Sequence, residues 1–119
     1  MPSSWAEMPK TILPALALLA LTLPARAASF PCDKAEASDE KAVCAHLALN
    51  DLDVEMATRF DILKEVLPMG GRSKLRDDQA DWLTERSACA GDVACLRGAY
   101  AARLKVLRGV LAEFAKQGP

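Results

Sequence analysis

The stretch Ser87 to Leu96 reads SACAGDVACL and sets Cys89 and Cys95 six positions apart around Gly91-Asp92. Cysteines this close can hold a metal, exchange disulfides or staple a turn. The chain has four, the others being Cys32 and Cys44. Structural zinc takes C-x₂₋₄-C pairs completed by further cysteines or histidines. Here eleven residues intervene in one pair and five in the other, and His46 is the one histidine. There is no C-x-x-C for thiol exchange and no C-x-x-C-H for haem attachment. An even count in a short exported chain instead reads as a disulfide framework. Four cysteines allow three pairings. The local one, Cys32–Cys44 with Cys89–Cys95, is the expectation, since it ties an extended lead-in to a first helix and staples a helical hairpin at its corner. The sequence alone leaves the other two open.

Other reactive constellations are thin. Asp77, Asp81 and Glu85 recur every fourth residue. Such a row could serve a cation or acid–base chemistry, but helical spacing explains it as a solvated face. No serine–histidine–acid set and no glycine-rich phosphate loop is readable. The expectation is a protein that is not an enzyme, with no catalytic residue, no metal and no cofactor. Fifteen basic and sixteen acidic residues leave a net charge of −1. No basic patch dominates, which argues against a nucleic-acid partner.

The positioning elements begin after a leader. Thr11 to Leu23 is an apolar run of 13 residues, preceded by Lys10 and followed by Ala25-Arg26-Ala27. A positive flank, a short apolar core and an Ala-x-Ala site describe a secretory signal peptide, and a membrane span needs about 20 apolar residues. The reading is a signal peptide over 1–27, with Met8 as a better start than Met1, and one domain over 28–119. No cysteine stands at the cleavage point for a lipid anchor. The protein is expected in the periplasm or outside the cell, with no membrane association after cleavage.

The mature chain is helical in period throughout. Phe30 to Ala37 reads as an extended lead-in. Ser38-Asp39-Glu40 opens a short helix with a capping side chain and acids in its first turn. Leu49, Leu52, Met56, Phe60, Leu63 and Leu67 form one apolar stripe. Asn50 either caps this second helix or lies inside one long bent helix from Asp39. Pro68-Met69-Gly70-Gly71 ends it, and Ser73 can cap the next, whose inner face carries Leu75, Gln79, Trp82, Leu83 and Arg86. Ala90-Gly91 stops that helix and Asp92 caps the last, with Leu96, Tyr100, Arg103, Leu104, Leu107, Leu111 and Phe114 on its stripe. The fold class is all-α, a small bundle of three main helices plus a short N-terminal one.

In order along the chain, Phe30-Pro-Cys32, Glu40-Lys-Ala-Val-Cys44, Leu49, Leu52, Asp53 and Met56, then Trp82-Leu83, Arg86 and Cys89, and finally Cys95-Leu96, Tyr100, Arg103 and Leu107 form a pattern. It resembles the LprI-like lysozyme-inhibitor domains, small exported bacterial domains with four cysteines. The family often follows its second cysteine with Asp-Pro-Glu, where this chain has His46-Leu47-Ala48. The resemblance implies an all-helical, disulfide-stapled fold in which Asp53, Trp82, Arg86, Tyr100 and Arg103 belong to the motif. Asp53 is expected to bond Arg86 or Arg103 across the packed helices, because a half-buried carboxylate needs such a partner.

Two functions follow as expectations. One is inhibition of a cell-wall hydrolase, most concretely lysozyme, by protein–protein binding. A slightly acidic protein would be steered toward a basic enzyme, and a loop over 68–73 would carry Arg72 to a catalytic carboxylate, with Gly91-Asp92 as the second contact. The other is an interaction module for a different envelope protein. A projecting polar loop would favour the first, an apolar groove between helices the second.

Overall fold

The computed structural model describes residues 28–118, so the signal-peptide expectation for 1–27 lies outside the described residues. A 3-10 turn at Cys32–Lys34 leads into α1 (Ser38–Ala45), α2 (Leu47–Val66), α3 (Met69–Ala88) and α4 (Val93–Lys116). No strand occurs among the described residues. The three long helices run as consecutive hairpins, with α4 packed most extensively on α2. The apolar stripes meet in one core of Val43, Leu49, Met56, Leu63, Leu75, Trp82, Leu96, Tyr100, Leu104 and Leu107. Burying each large apolar side chain contributes about 1.5–3 kcal/mol. Leu83 and Leu111 fall off the core, 40% and 39% exposed.

The disulfides are Cys32–Cys44 and Cys89–Cys95, with Cα separations of 5.8 and 5.5 Å. The first ties the 3-10 turn to the last turn of α1. The second closes the α3–α4 corner, where Cys89 is the C-cap of α3 and Asp92 Oδ1 accepts from the Cys95 N–H at 2.8 Å. The left-handed residue of this corner is Ala90, at φ 51°, rather than the neighbouring glycine.

Three boundaries differ from expectation. Ser38 is the first residue of α1, and Ala37 is its N-cap without a side-chain bond. The chain breaks at His46, whose φ of −115° and ψ of 111° are extended, so Asn50 lies buried inside α2 and is neither its cap nor part of one long bent helix. The break therefore forms without Asp-Pro-Glu. At the α2–α3 corner, Pro68 holds Leu67 out of the helical region, at ψ 144°. Pro68 is itself the N-cap of α3, so Gly70, Gly71, Arg72 and Ser73 are helical and Ser73 caps nothing. The expected loop over 68–73 is a two-residue corner, Leu67-Pro68.

Candidate functional site

Two polar clusters stand out, one sealed and one open. The sealed cluster lies where α1, α2, α3 and α4 meet. Arg86 Nε donates to Asp39 Oδ2 at 2.9 Å, and Arg86 Nη1 donates to the Tyr100 hydroxyl at 3.3 Å. That hydroxyl donates to Asp53 Oδ1 at 2.8 Å, and the Ser29 N–H donates to Asp53 Oδ2 at 2.6 Å. Asp53 is fully buried, and its Oδ1 is 3.8 Å from Arg86 Nη1, within ion-pair range but beyond a hydrogen bond. Arg103 is not part of this cluster; its Nε donates to Gln79 Oε1 at 2.9 Å. The guanidinium of Arg86 also lies 5.6 Å from the centroid of Phe30 and 5.7 Å from that of Trp82. Trp82 meets Tyr100 edge-on at 5.0 Å and donates through Nε1 to the Ala99 carbonyl at 2.9 Å.

The electrostatics follow from this geometry. Burial alone would push Arg86 down, but contact with Tyr100 and Asp39 outweighs it and the net shift is upward. Tyr100 is pushed well above the usual phenol range, first by burial and then by the charge and hydrogen bond of Asp53. Neither group is poised to exchange a proton near neutral pH. One cation faces two carboxylates beside the rings of Phe30, Trp82 and Tyr100. Its chemistry is structural.

Asp39 is the partner that sequence reasoning missed. Its position was read only as acid in the first turn of α1. The available signal was its spacing of three and four from Ala42 and Val43, which puts it on the buried face of that helix. The Ser29 donor carries no signal, because it is a main-chain group of an irregular segment.

The open cluster lines the seam between α3 and α4. Asp78, Asp81, Glu85, Trp82, Ala102, Arg103 and Val106 border a cleft of about 290 Å³. Asp81 and Glu85 form no ion pair among the described residues, while Asp78 is bonded to Lys74 at 2.8 Å. Arg103 is 4% exposed, and its Nη2, shielded from solvent, has no hydrogen-bond partner among the described residues. Burial pushes its guanidinium below the ordinary value, against the pull of Asp78 and Glu85. A second cavity of about 130 Å³ shares Asp78, Arg103 and Val106 with the first and continues along the seam to Leu67, Gly71 and Val110. A third, of about 250 Å³, shares those last three and ends at Phe114. The three form one groove, acidic at the Glu85 end and apolar at the Phe114 end. Among the described residues, no three His, Cys, Asp or Glu side chains are placed to hold a metal ion.

Arg72 and Asp92 are not brought together. They stand at opposite ends of α3, a 20-residue helix about 30 Å long. Arg72 is half-buried in the first turn, with Nη2 donating to the Leu67 carbonyl at 3.3 Å. Asp92 spends its carboxylate on the α4 cap. Arg72 does not project on a loop, whereas Asp92 is exposed in the turn between α3 and α4.

Comparison with known proteins gives one positive result. A protein-family model described as "Lysozyme inhibitor LprI" matches residues 32–117. That span runs from the first cysteine to the end of α4. No curated protein matches, and no solved structure matches.

Proposed function

The chain belongs to the LprI family of lysozyme inhibitors, and from that premise we propose that it is an exported protein that binds and inhibits a cell-wall hydrolase of the lysozyme type. The family match over nearly all of the described chain is the observation that carries this reading. Two disulfides fit an oxidising compartment such as the periplasm or the cell exterior. Among the described residues, no helix is long and apolar enough to cross a membrane. The family is named for inhibition rather than catalysis, so the protein acts by occupying a surface.

One observation favours a second reading, an envelope interaction module without anti-lysozyme activity. The corners of the bundle are short, with only Leu67-Pro68 between α2 and α3, so no projecting loop offers Arg72 to a catalytic cleft. A groove between helices is present instead. Inhibition of lysozyme-driven turbidity loss by the oxidised, exported protein separates the two. Saturable inhibition that disappears on reduction supports the inhibitor. No inhibition of several lysozyme classes by a folded, doubly bridged protein supports the module.

A further inference from the structure

The α3–α4 groove exposes charge at one end and apolar groups along the rest. Arg103 is almost wholly buried in its wall, with Nη2 shielded from solvent and so out of reach of a ligand. Beside it, Asp81 and Glu85 face the same cleft without an ion pair among the described residues. Arg103 bonds Gln79 instead of these carboxylates, so the charges are neighbours without being partners. Gln79 is held in turn, donating to Met56 Sδ at 3.2 Å, which fixes Arg103 from behind.

A ligand matched to this groove brings a cation for the rim and apolar groups for the rest. A metal ion lacks the second, and the carboxylates are not grouped to bind one. A peptide segment supplies both, through a lysine or arginine side chain and apolar neighbours. Ala102 and Val106, one turn apart on α4, give the stem of such a side chain an apolar wall. Beyond Arg103 the groove turns apolar, through Leu67 and Val110 to Phe114. From Glu85 to Gly71 it runs along fifteen residues of α3, a rise of about 21 Å, room for about six residues of extended chain.

We infer that this groove is the partner-binding surface, and that it takes a segment of another protein with a lysine or arginine at the Asp81–Glu85 end and apolar residues toward Val110 and Phe114. The inference rests on the reading that the protein works by binding a protein. It does not depend on that partner being lysozyme.

The test uses the chain expressed at full length for export and recovered with both disulfides, as wild type and as the double variant Asp81→Asn/Glu85→Gln. Both positions are exposed, so the variant is expected to fold, and matched circular dichroism and melting verify this. Affinity for basic lysozymes of several classes is measured by calorimetry at low and physiological salt. In parallel, amide chemical shifts are followed against a six-residue peptide with one arginine and three leucines, and against its glutamate analogue. Wild-type binding to lysozyme that weakens about tenfold in the variant, with a shallower salt dependence, supports the groove. Lysozyme binding unchanged in the variant overturns it and leaves the inhibitor reading intact. If wild type binds none of several lysozyme classes, the inhibitor reading fails and the peptide decides. Shifts confined to residues 67–85 and 102–117, absent in the variant and with the glutamate peptide, sustain the groove; shifts elsewhere or none overturn it.

Discussion

The sealed cluster around Arg86 and the open groove beside Arg103 use the same side-chain types to opposite ends. Both place an arginine on an inward face and carboxylates within reach. At Arg86 the guanidinium is bonded to Asp39 and Tyr100, Tyr100 is bonded to Asp53, and the rings of Phe30 and Trp82 lie near it. Beside Arg103 the exposed Asp81 and Glu85 face an open cleft without an ion pair among the described residues. The difference teaches how to divide the polar residues of the chain. Satisfied, enclosed groups hold helices together, while unsatisfied, accessible ones are available to something else.

Breaking the sealed cluster has the largest effect. Arg86→Met removes the one cation facing Asp39 and Asp53, and losing one partner of a buried pair costs about 3–5 kcal/mol. Against a total of about 5–15 kcal/mol for a domain, urea unfolding should show a much lower midpoint or no folded baseline. A midpoint close to wild type would mean that the two carboxylates are not held by Arg86.

The staples come next. Replacing both Cys32 and Cys44 by alanine should cost about 3 kcal/mol and replacing Cys89 and Cys95 about 2 kcal/mol, because the first loop is the longer. Equal losses in thermal melting would show that chain entropy is not what separates them.

Tyr100→Phe removes one hydrogen bond to a buried carboxylate and is expected to cost about 1–3 kcal/mol. The same residue gives a pH signature, since it is the one tyrosine of the chain. Its folded pKa is raised, so the native state keeps a proton that the unfolded chain loses near pH 10. Stability from this group is complete below about pH 10 and is lost as pH climbs above it. Tyrosinate absorbance should stay silent past pH 10 and rise together with unfolding. A free phenol-like titration in the folded protein would show that the cluster is open.

The smallest stability effect belongs to the groove. Asp81→Asn/Glu85→Gln should move the unfolding midpoint by less than about 0.5 kcal/mol, as for surface changes in general. A large loss of stability would place these carboxylates with the structural set and erase the contrast between the two clusters.

Several residues show what could be read from the chain. Trp82 and Tyr100 declare themselves by falling on apolar stripes of helical period, and both are buried. Asp53 is legible as a carboxylate needing a partner because it sits on the edge of such a stripe. Its bonded partners are Tyr100 and the Ser29 main chain, with Arg86 at longer range, and spacing within one helix carries no information about which side chain of another will arrive. At the α2–α3 corner Pro68-Met69-Gly70-Gly71 reads as a loop because proline and glycine punctuate helices. One proline, by fixing Leu67 and then capping α3, overrides that local preference.

The sequence by itself determined the helical class, the apolar stripes, the stapling role of the cysteines and the family pattern. All of these depend on residue type and on spacing within a single helix or turn. Only the tertiary structure decided that Asp39 is the close partner of Arg86, that Arg72 lies in a helix and that Asp81, Glu85 and Arg103 border one groove. Those facts depend on how α1, α3 and α4 are rotated against one another, and that rotation is set by packing the whole core at once.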